Sequence, residues 1–402
     1  MARARSSTID RNPGVLESLG MLEDVEMRSV GLFAGIGGFE VGLQRAGIAT
    51  ELLCEYWQPA SDVLRRRFDT EVVGDICELR SIPAVDVVTA GFPCTDLSQV
   101  GRTAGIDGTE SGLVREAFRL IEKTPPRWVV LENVPNMLGL GGGAAMAYIA
   151  GWFEQRGWNW AYRTVDSQCF GLRQRRRRVF LVASMREDPR EVLFADEAGP
   201  PPSRASHAAY GFYWTEGNRG VGWGEGVTPT LKGGSKIGIA SPPGVWRVGA
   251  ETGQAIARPS IRAGERLQGF RGGWTDLGAR DGVRWKMVGN AVSVPVAAWI
   301  GQGLVSPRPL VDVPRRPLDV GRRWPAAASA VNGVREEWAL SERPLGVRPR
   351  QTLAALLAEH GADPLSLNAT RGFTSRLVAS SLRRRPDFVE ELRAHIEHMS
   401  HS

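Results

Sequence analysis

Apolar residues come in short runs separated by glycine-rich or acidic turns, and these runs alternate with stretches of helical spacing. Ser29–Phe33, Ala49–Cys54, Glu71–Val73, Val85–Ala90, Trp128–Leu131, Asn159–Val165 and Val179–Ala183 are rich in β-branched or apolar residues and predict strands. Between them, Phe39–Ala46, Leu113–Lys123 and Ala144–Arg156 predict helices. On the second of these, Leu113, Ala117, Leu120 and Ile121 share one side, and Pro125-Pro126 stops it. Such alternation implies an α/β fold with a largely parallel sheet. From Arg186 to about Pro259 the period dissolves into a loop-rich insert. Patterning returns at Ile261–Phe270 and at Gly289–Val292, ahead of the apolar Val294–Leu304. Pro307–Pro325 reads as a linker, Thr352–His360, Ser375–Arg384 and Pro386–Met399 as short helices, and Met1–Met27 as a disordered tail.

The chemistry-bearing residues fall at the carboxyl ends of the strands, where open α/β sheets bind ligands. Ala34-Gly35-Ile36-Gly37-Gly38 after the first strand lets a ligand approach the backbone and a helix N-terminus, but it matches neither a dinucleotide fingerprint nor a P-loop. Glu55-Tyr56 and Asp75-Ile76 end the next two strands, each pairing an acid with an aromatic or apolar neighbour, which suits an adenosine. Gly91-Phe92-Pro93-Cys94-Thr95-Asp96-Leu97-Ser98 follows the fourth. There Cys94 is either a nucleophile held by a stiff backbone or a small buried hydrophobe. Glu132-Asn133 ends the fifth. Gln174 through Arg178 feeds an arginine run into an apolar strand, which turns some guanidiniums toward a cleft.

Composition narrows the class. The 402 residues carry 42% apolar side chains, enough for a large core and more than one domain. No apolar run reaches the length of a membrane span, and a cytoplasmic location is expected. The four cysteines form no Cys-x-x-Cys pair, so reduced thiols are expected, with neither a zinc ribbon nor a disulfide framework. Fifty Lys plus Arg against 44 Asp plus Glu give a formal charge of +6, which permits a nucleic acid partner. Only His207 precedes residue 360, so the main body has almost no imidazole for a Cys/His relay. His395 and His398 lie three apart without companion ligands, the pattern of a surface helix rather than a metal site. In the insert, Arg204, Arg219, Lys232, Lys236, Arg247 and Arg258 interleave with Tyr210, Phe212, Tyr213, Trp214, Trp223 and Trp246, side chains of the kind that contact base edges and backbone.

Taken in order, these motifs resemble the C5-cytosine-specific DNA methyltransferases over Arg28–Leu304. Leu32–Phe39 resembles the family's first cofactor motif, Gly91–Ser98 its nucleophile motif, Glu132-Asn133-Val134 its acid motif and Gln174–Arg178 its arginine motif. Arg266-Leu267-Gln268-Gly269-Phe270 and Gly289-Asn290 resemble the last two. Five positions depart from the family's usual residues: Gly31 replaces an aspartate, Thr95 a glutamine, Arg173 and Arg177 a proline and a glutamate. Met287 likewise stands where a glutamine is common.

The resemblance implies an α/β fold: a Rossmann-like S-adenosylmethionine-dependent methyltransferase sheet, a small irregular target-recognition domain and a C-terminal helical extension. The implied divisions are 1–27 tail, 28–185 catalytic, 186–285 target recognition, 286–304 return to the catalytic domain, and 305–402 linker and extension. It implies methyl transfer from S-adenosyl-L-methionine, leaving S-adenosyl-L-homocysteine, to C5 of a flipped cytosine in double-stranded DNA. Cys94 would add to C6, Glu132 would donate at N3 with Asn133 orienting the loop, and Arg176 and Arg178 would hold the base. Phe33, Ala34, Gly35, Gly37, Glu55, Tyr56, Asp75, Ile76, Pro93, Leu113 and Asn290 would bind the cofactor. A monomer is expected, paired with a restriction endonuclease or defence-system proteins and without a metal. A tRNA-directed relative would carry Pro-Pro-Cys and Cys-Phe-Thr, and a zinc deaminase His-x-Glu and Pro-Cys-x-x-Cys; none of these is present. A catalytically silent DNA-binding relative remains the alternative from another class.

Overall fold

A computed structural model describes residues 27–92, 112–200, 208–216, 220–233, 242–319, 321, 323–382 and 385–401. The tail expected at the amino end lies almost wholly outside them.

The first seven strands are β1 Arg28–Leu32, β2 Ala49–Cys54, β3 Glu71–Val73, β4 Val87–Ala90, β5 Trp128–Asn133, β6 Asn159–Asp166 and β7 Arg177–Ser184. They lie in the order β3-β2-β1-β4-β5-β7-β6, parallel from β3 to β5, with β7 antiparallel to both neighbours. This is the expected Rossmann-like sheet. Helix α1 (Gly38–Arg45), α2 (Gln58–Arg67), α3 (Gly112–Lys123) and α4 (Ala144–Glu154) connect and cover it. Burial on both faces explains the near-continuous apolar runs. One face carries Val88, Leu131, Phe118, Trp152 and Trp160, with Phe118 stacked on Trp152 at 4.1 Å between ring centres. The other carries Phe39, Leu43, Val130, Phe180, Trp299 and Ile300.

Three further strands extend this sheet past β6, and they come from the segment expected to be a linker and helical extension. β12 (Arg315–Pro317), β13 (Ala327–Val331) and β14 (Val334–Trp338) continue it as β6-β13-β14-β12, with Ala327 opposite Arg163. Trp324 is buried beside them and donates its indole N–H to Gly143 O at 3.1 Å. Pro307–Pro325 is therefore not a free linker.

The insert holds a second sheet rather than loops alone. β8 (Ala209–Phe212), β9 (Gly224–Glu225), β10 (Gly244–Arg247) and β11 (Ile256–Pro259) pair antiparallel with β15 (Ala362–Pro364) in the order β15-β11-β10-β8-β9. After the short helix α5 (Arg190–Leu193), helices α6 (Ile261–Gln268), α7 (Asp281–Asn290) and α8 (Val294–Val305) return the chain to the first sheet. Ser260 caps α6 by accepting from Ala263 N–H. The stretch Asp281–Val305 is long and apolar enough to cross a membrane, but it is interrupted between α7 and α8 and mostly buried, as a core helix would be.

Helices α9 (Leu353–His360), α10 (Leu367–Ala379) and α11 (Pro386–His401) close the second sheet. Phe373, Phe388 and Leu392 share a core with Tyr210, Phe212 and Trp246. The helix expected at Ser375–Arg384 instead spans α10 and ends at Ala379, ahead of Ser380-Ser381. On α11 His395 is buried, its Nε2 2.8 Å from Leu365 O, so that part of the expected surface helix is core.

Candidate active site

The turn after β1 is tightly wound: Phe33, Gly35 and Gly37 all have positive φ, at 55°, 58° and 85°. Phe33 is not glycine, so its left-handed backbone stores strain at the point where the chain leaves the sheet. Gly37 serves packing, because a Cβ there would meet the Phe68 ring at 2.5 Å. Ala34 donates its N–H to Cys54 O at 3.1 Å and so ties β1 to β2.

Below this turn opens a cleft of about 520 Å³ at the carboxyl ends of β1 to β4. Of the residues expected to bind the cofactor, Phe33, Gly35, Glu55, Tyr56, Asp75, Ile76, Leu113 and Asn290 line it. Ala34 and Gly37 do not, and act through the backbone as described. Pro93 lies outside the described residues, as do Cys94 and, in the insert, Arg204, Arg219 and Lys236. Tyr56 is 79% exposed, a free aromatic face at the cleft. Glu55 is already partly engaged: its two oxygens accept N–H from Gly35 and from Trp57, each at 2.8 Å. Burial raises its pKa and those two hydrogen bonds oppose the rise. Asp75 accepts Cys77 N–H at 2.9 Å.

The sequence missed other lining residues. Trp57, Met287, Lys286 and Gly91 also face the cleft, with the Lys286 ammonium 4.4 Å from the Trp57 ring centre. The available signal was position: Lys286 stands one helical turn before Asn290.

At the neighbouring strand ends, Glu132 and Asn133 are both buried. Asn133 donates to Phe92 O at 3.1 Å and accepts Val134 N–H at 2.8 Å, which fixes the last described residue before the Cys94 segment. Glu132 Oε1 pairs with Arg178 Nε at 2.9 Å. Glu132 Oε2 faces Gly91, where a Cβ would stand 3.8 Å away.

The two arginines expected to act together do different things. Arg178 meets Glu132. Arg176 is fully buried and spends its guanidinium on three carbonyls, Leu231 O (3.2 Å), Gly289 O (3.1 Å) and Ala291 O (2.8 Å). With both terminal nitrogens donating within the protein, Arg176 braces this junction, while its buried Nε has no hydrogen-bond partner among the described residues.

The two buried cysteines among the described residues are poorly placed as nucleophiles. Burial pushes the Cys54 and Cys169 thiols up to about 12. Cys77 is exposed, and its thiol is raised by what desolvation remains there and by its hydrogen bond with Asp75. Among the described residues no group of three or more His, Cys, Asp or Glu is placed to hold a metal ion.

The departure at Gly31 also has a structural partner. Glu40, fully buried on α1, turns its carboxyl into the space a Gly31 side chain would fill, and neither oxygen finds a hydrogen-bond partner in another of the described residues. Burial pushes its pKa up to about 7.

Residues 27–209 match the C-5 cytosine-specific DNA methylase family. The Type II methyltransferase M2.BsuMI of Bacillus subtilis strain 168 is 43% identical over 367 residues, 87% of this chain and 93% of its own length. M.BanI of Aneurinibacillus aneurinilyticus, also a Type II methyltransferase, is 31% identical over 175 residues, 42% of this chain and 41% of its own. Among solved structures, the Dnmt2 methyltransferase of S. pombe superimposes with a TM-score of 0.53 at 14% identity, covering 69% of this chain and 98% of that one, a likeness of fold.

Proposed function

The chain belongs to the C-5 cytosine-specific DNA methylases, and from that premise we propose that it methylates a flipped-out cytosine through a covalent Cys94 adduct, with S-adenosylmethionine as methyl donor. It is a DNA (cytosine-5-)-methyltransferase of the Type II restriction-modification kind. We assign it the modification role beside a cognate endonuclease or defence system.

The cleft fits the donor. It offers Glu55 and Asp75 to hydroxyl and amine groups, the exposed ring of Tyr56 to a purine face, and a strained glycine turn that admits close approach. When bound there, the cofactor supplies an electrophilic methyl group on sulfonium sulfur.

The observation that carries the mechanism is the Glu132–Arg178 pair beside Gly91, where the nucleophile segment begins and the cofactor cleft ends. Cytosine C5 is a weak nucleophile. Addition of the Cys94 thiolate to C6 pushes electron density to C5, while Glu132 donates a proton at N3 and Arg178 holds the carboxyl in place. C5 then takes the methyl group as S-adenosylhomocysteine leaves; a base accepts the C5 proton, the Cys94 thiolate is eliminated, and N3 returns its proton to the Glu132 carboxylate, which regenerates the aromatic ring and the enzyme. Because C5 and C6 are stacked in a duplex, the base must leave the helix first. The raised thiols of Cys54, Cys77 and Cys169 favour Cys94 for this role.

Fluorine at C5 cannot depart as a cation, so methylation of 5-fluorocytosine in a substrate duplex should leave enzyme attached to DNA through denaturing electrophoresis. Cys94→Ser should abolish the adduct, and Glu132→Gln should slow its formation by about 10²–10⁴. An adduct mapped by peptide sequencing to another cysteine would refute the assignment.

A further inference from the structure

The insert and the cofactor cleft meet backbone to backbone. Arg176 joins Leu231 O of the insert to Gly289 O and Ala291 O on either side of Asn290, which lines the cleft. Gln174, also buried, accepts Leu231 N–H at 2.7 Å and donates to Leu267 O and Gln268 Oε1 at 3.0 and 3.1 Å. The glycines leave no slack. A Cβ on Gly289 would overlap the Lys232–Gly233 backbone, and a Cβ on Gly233 would overlap the Asn290 side-chain oxygen.

The outer end of the same segment is built differently. Lys232 sends its ammonium to 3.8 Å from the Tyr213 ring centre and pairs with Glu216 at 2.5 Å, yet its side chain remains 44% exposed. Tyr213 in turn donates to Thr230 O at 2.8 Å. Thr230–Gly233 therefore carries at one end a half-exposed cation for which an anionic or base-edge group would compete with Glu216, and seats the cofactor-lining Asn290 at the other.

We propose that Arg176 is a positioning residue that couples the two ligands: DNA engaged at Lys232 sets Leu231–Gly233, and through Arg176 and Gly233 sets Asn290 for the cofactor. This rests on the assignment of S-adenosylmethionine and duplex DNA above. The shared element is this close-packed junction, and coupling follows if DNA and cofactor each favour the arrangement in which Arg176 joins its three carbonyls. Coupling between binding sites is reciprocal, so cofactor must tighten DNA by the same factor as DNA tightens cofactor.

The test uses the full chain, S-adenosylhomocysteine as the unreactive ligand, and a linear plasmid that the wild-type enzyme methylates, at one fixed salt concentration. Filter binding gives DNA affinity with and without saturating S-adenosylhomocysteine, and calorimetry gives the affinity for S-adenosylhomocysteine alone. The wild-type enzyme should show a coupling factor of about tenfold. Arg176→Lys keeps the charge and loses the fork, and Gly233→Ala displaces Asn290 from the opposite side. Arg176→Lys should bring coupling below about twofold while S-adenosylhomocysteine alone still binds within about threefold of wild type; Gly233→Ala, which pushes directly on the cleft-lining Asn290, should lower coupling and weaken S-adenosylhomocysteine itself. A brace that only holds the fold would lower the melting temperature and leave coupling intact. Full coupling in either folded variant, or none in the wild type, overturns the inference. Failure of the wild type to bind S-adenosylhomocysteine at all overturns the cofactor assignment and the inference with it, a distinguishable result.

Discussion

Glu40→Gln tests the buried carboxyl through the pH dependence of folding. In the native protein the group titrates near 7, against an ordinary 4.5 when exposed, because burial disfavours its charged form. Between those two values the native state holds a proton that the unfolded chain has released. Stability therefore falls as pH rises through the window, by about 1.4 kcal/mol per pH unit, and levels off above 7. The full span comes to about 3 kcal/mol, a large share of the margin of most domains. Glutamine has nearly the same shape and does not titrate, so this component vanishes in the variant. Other acids raised by burial, such as Asp166 and Glu55, are present in both proteins and cancel in the comparison. Urea unfolding followed by tryptophan fluorescence, from about pH 5 to about pH 8, should show the variant gaining about 2.5 kcal/mol on wild type as pH rises. Parallel profiles would mean that the carboxyl is hydrated or hydrogen-bonded, and the argument from its unpartnered oxygens would fail.

Deleting the chain from Pro307 removes β12 to β14, β15 and the helices that supply Phe373, Phe388 and Leu392. The truncated protein should be insoluble or lack a cooperative melt, and a soluble product with a native-like circular dichroism melt would contradict the packing described. Glu55→Ala should weaken S-adenosylhomocysteine binding about tenfold or more, since it removes a ligand acceptor and frees two backbone N–H groups that hold the cleft. Calorimetry showing unchanged affinity would take Glu55 out of the site.

The central strands were legible because burial on both faces demands apolar runs, and the cleft was legible because its acids sit at strand ends. What escaped did so for physical reasons. β12 is the sheet edge and β14 lies beside it, and Arg315–Pro317 and Val334–Trp338 are too rich in charged side chains for an apolar run to mark them; β13 is buried, but its Ala-Ala-Ser-Ala-Val lacks the β-branched density that marks the central strands. The strands of the insert are only two to four residues long. Spacing put Arg176 and Arg178 on one side of an extended segment, but could not reveal that three carbonyls from distant loops had already claimed Arg176. Glu40 stands in the first turn of a helix, where an acid ordinarily favours the dipole from the solvent side. Only the missing side chain of Gly31 explains where its carboxyl goes.

The pairing of Ala327 with Arg163, and of Ala362 with Pro259, also bears on how the protein is made. Each joins a strand to a partner translated much later. A nascent chain that has cleared the ribosome through Asn290 carries every catalytic and cofactor motif, yet both sheets still present open edges. Closing such long loops is slow, and bare edges invite pairing with other chains. Methylating capacity should therefore arise only once β13 and β15 have been made and paired, well after the last catalytic motif.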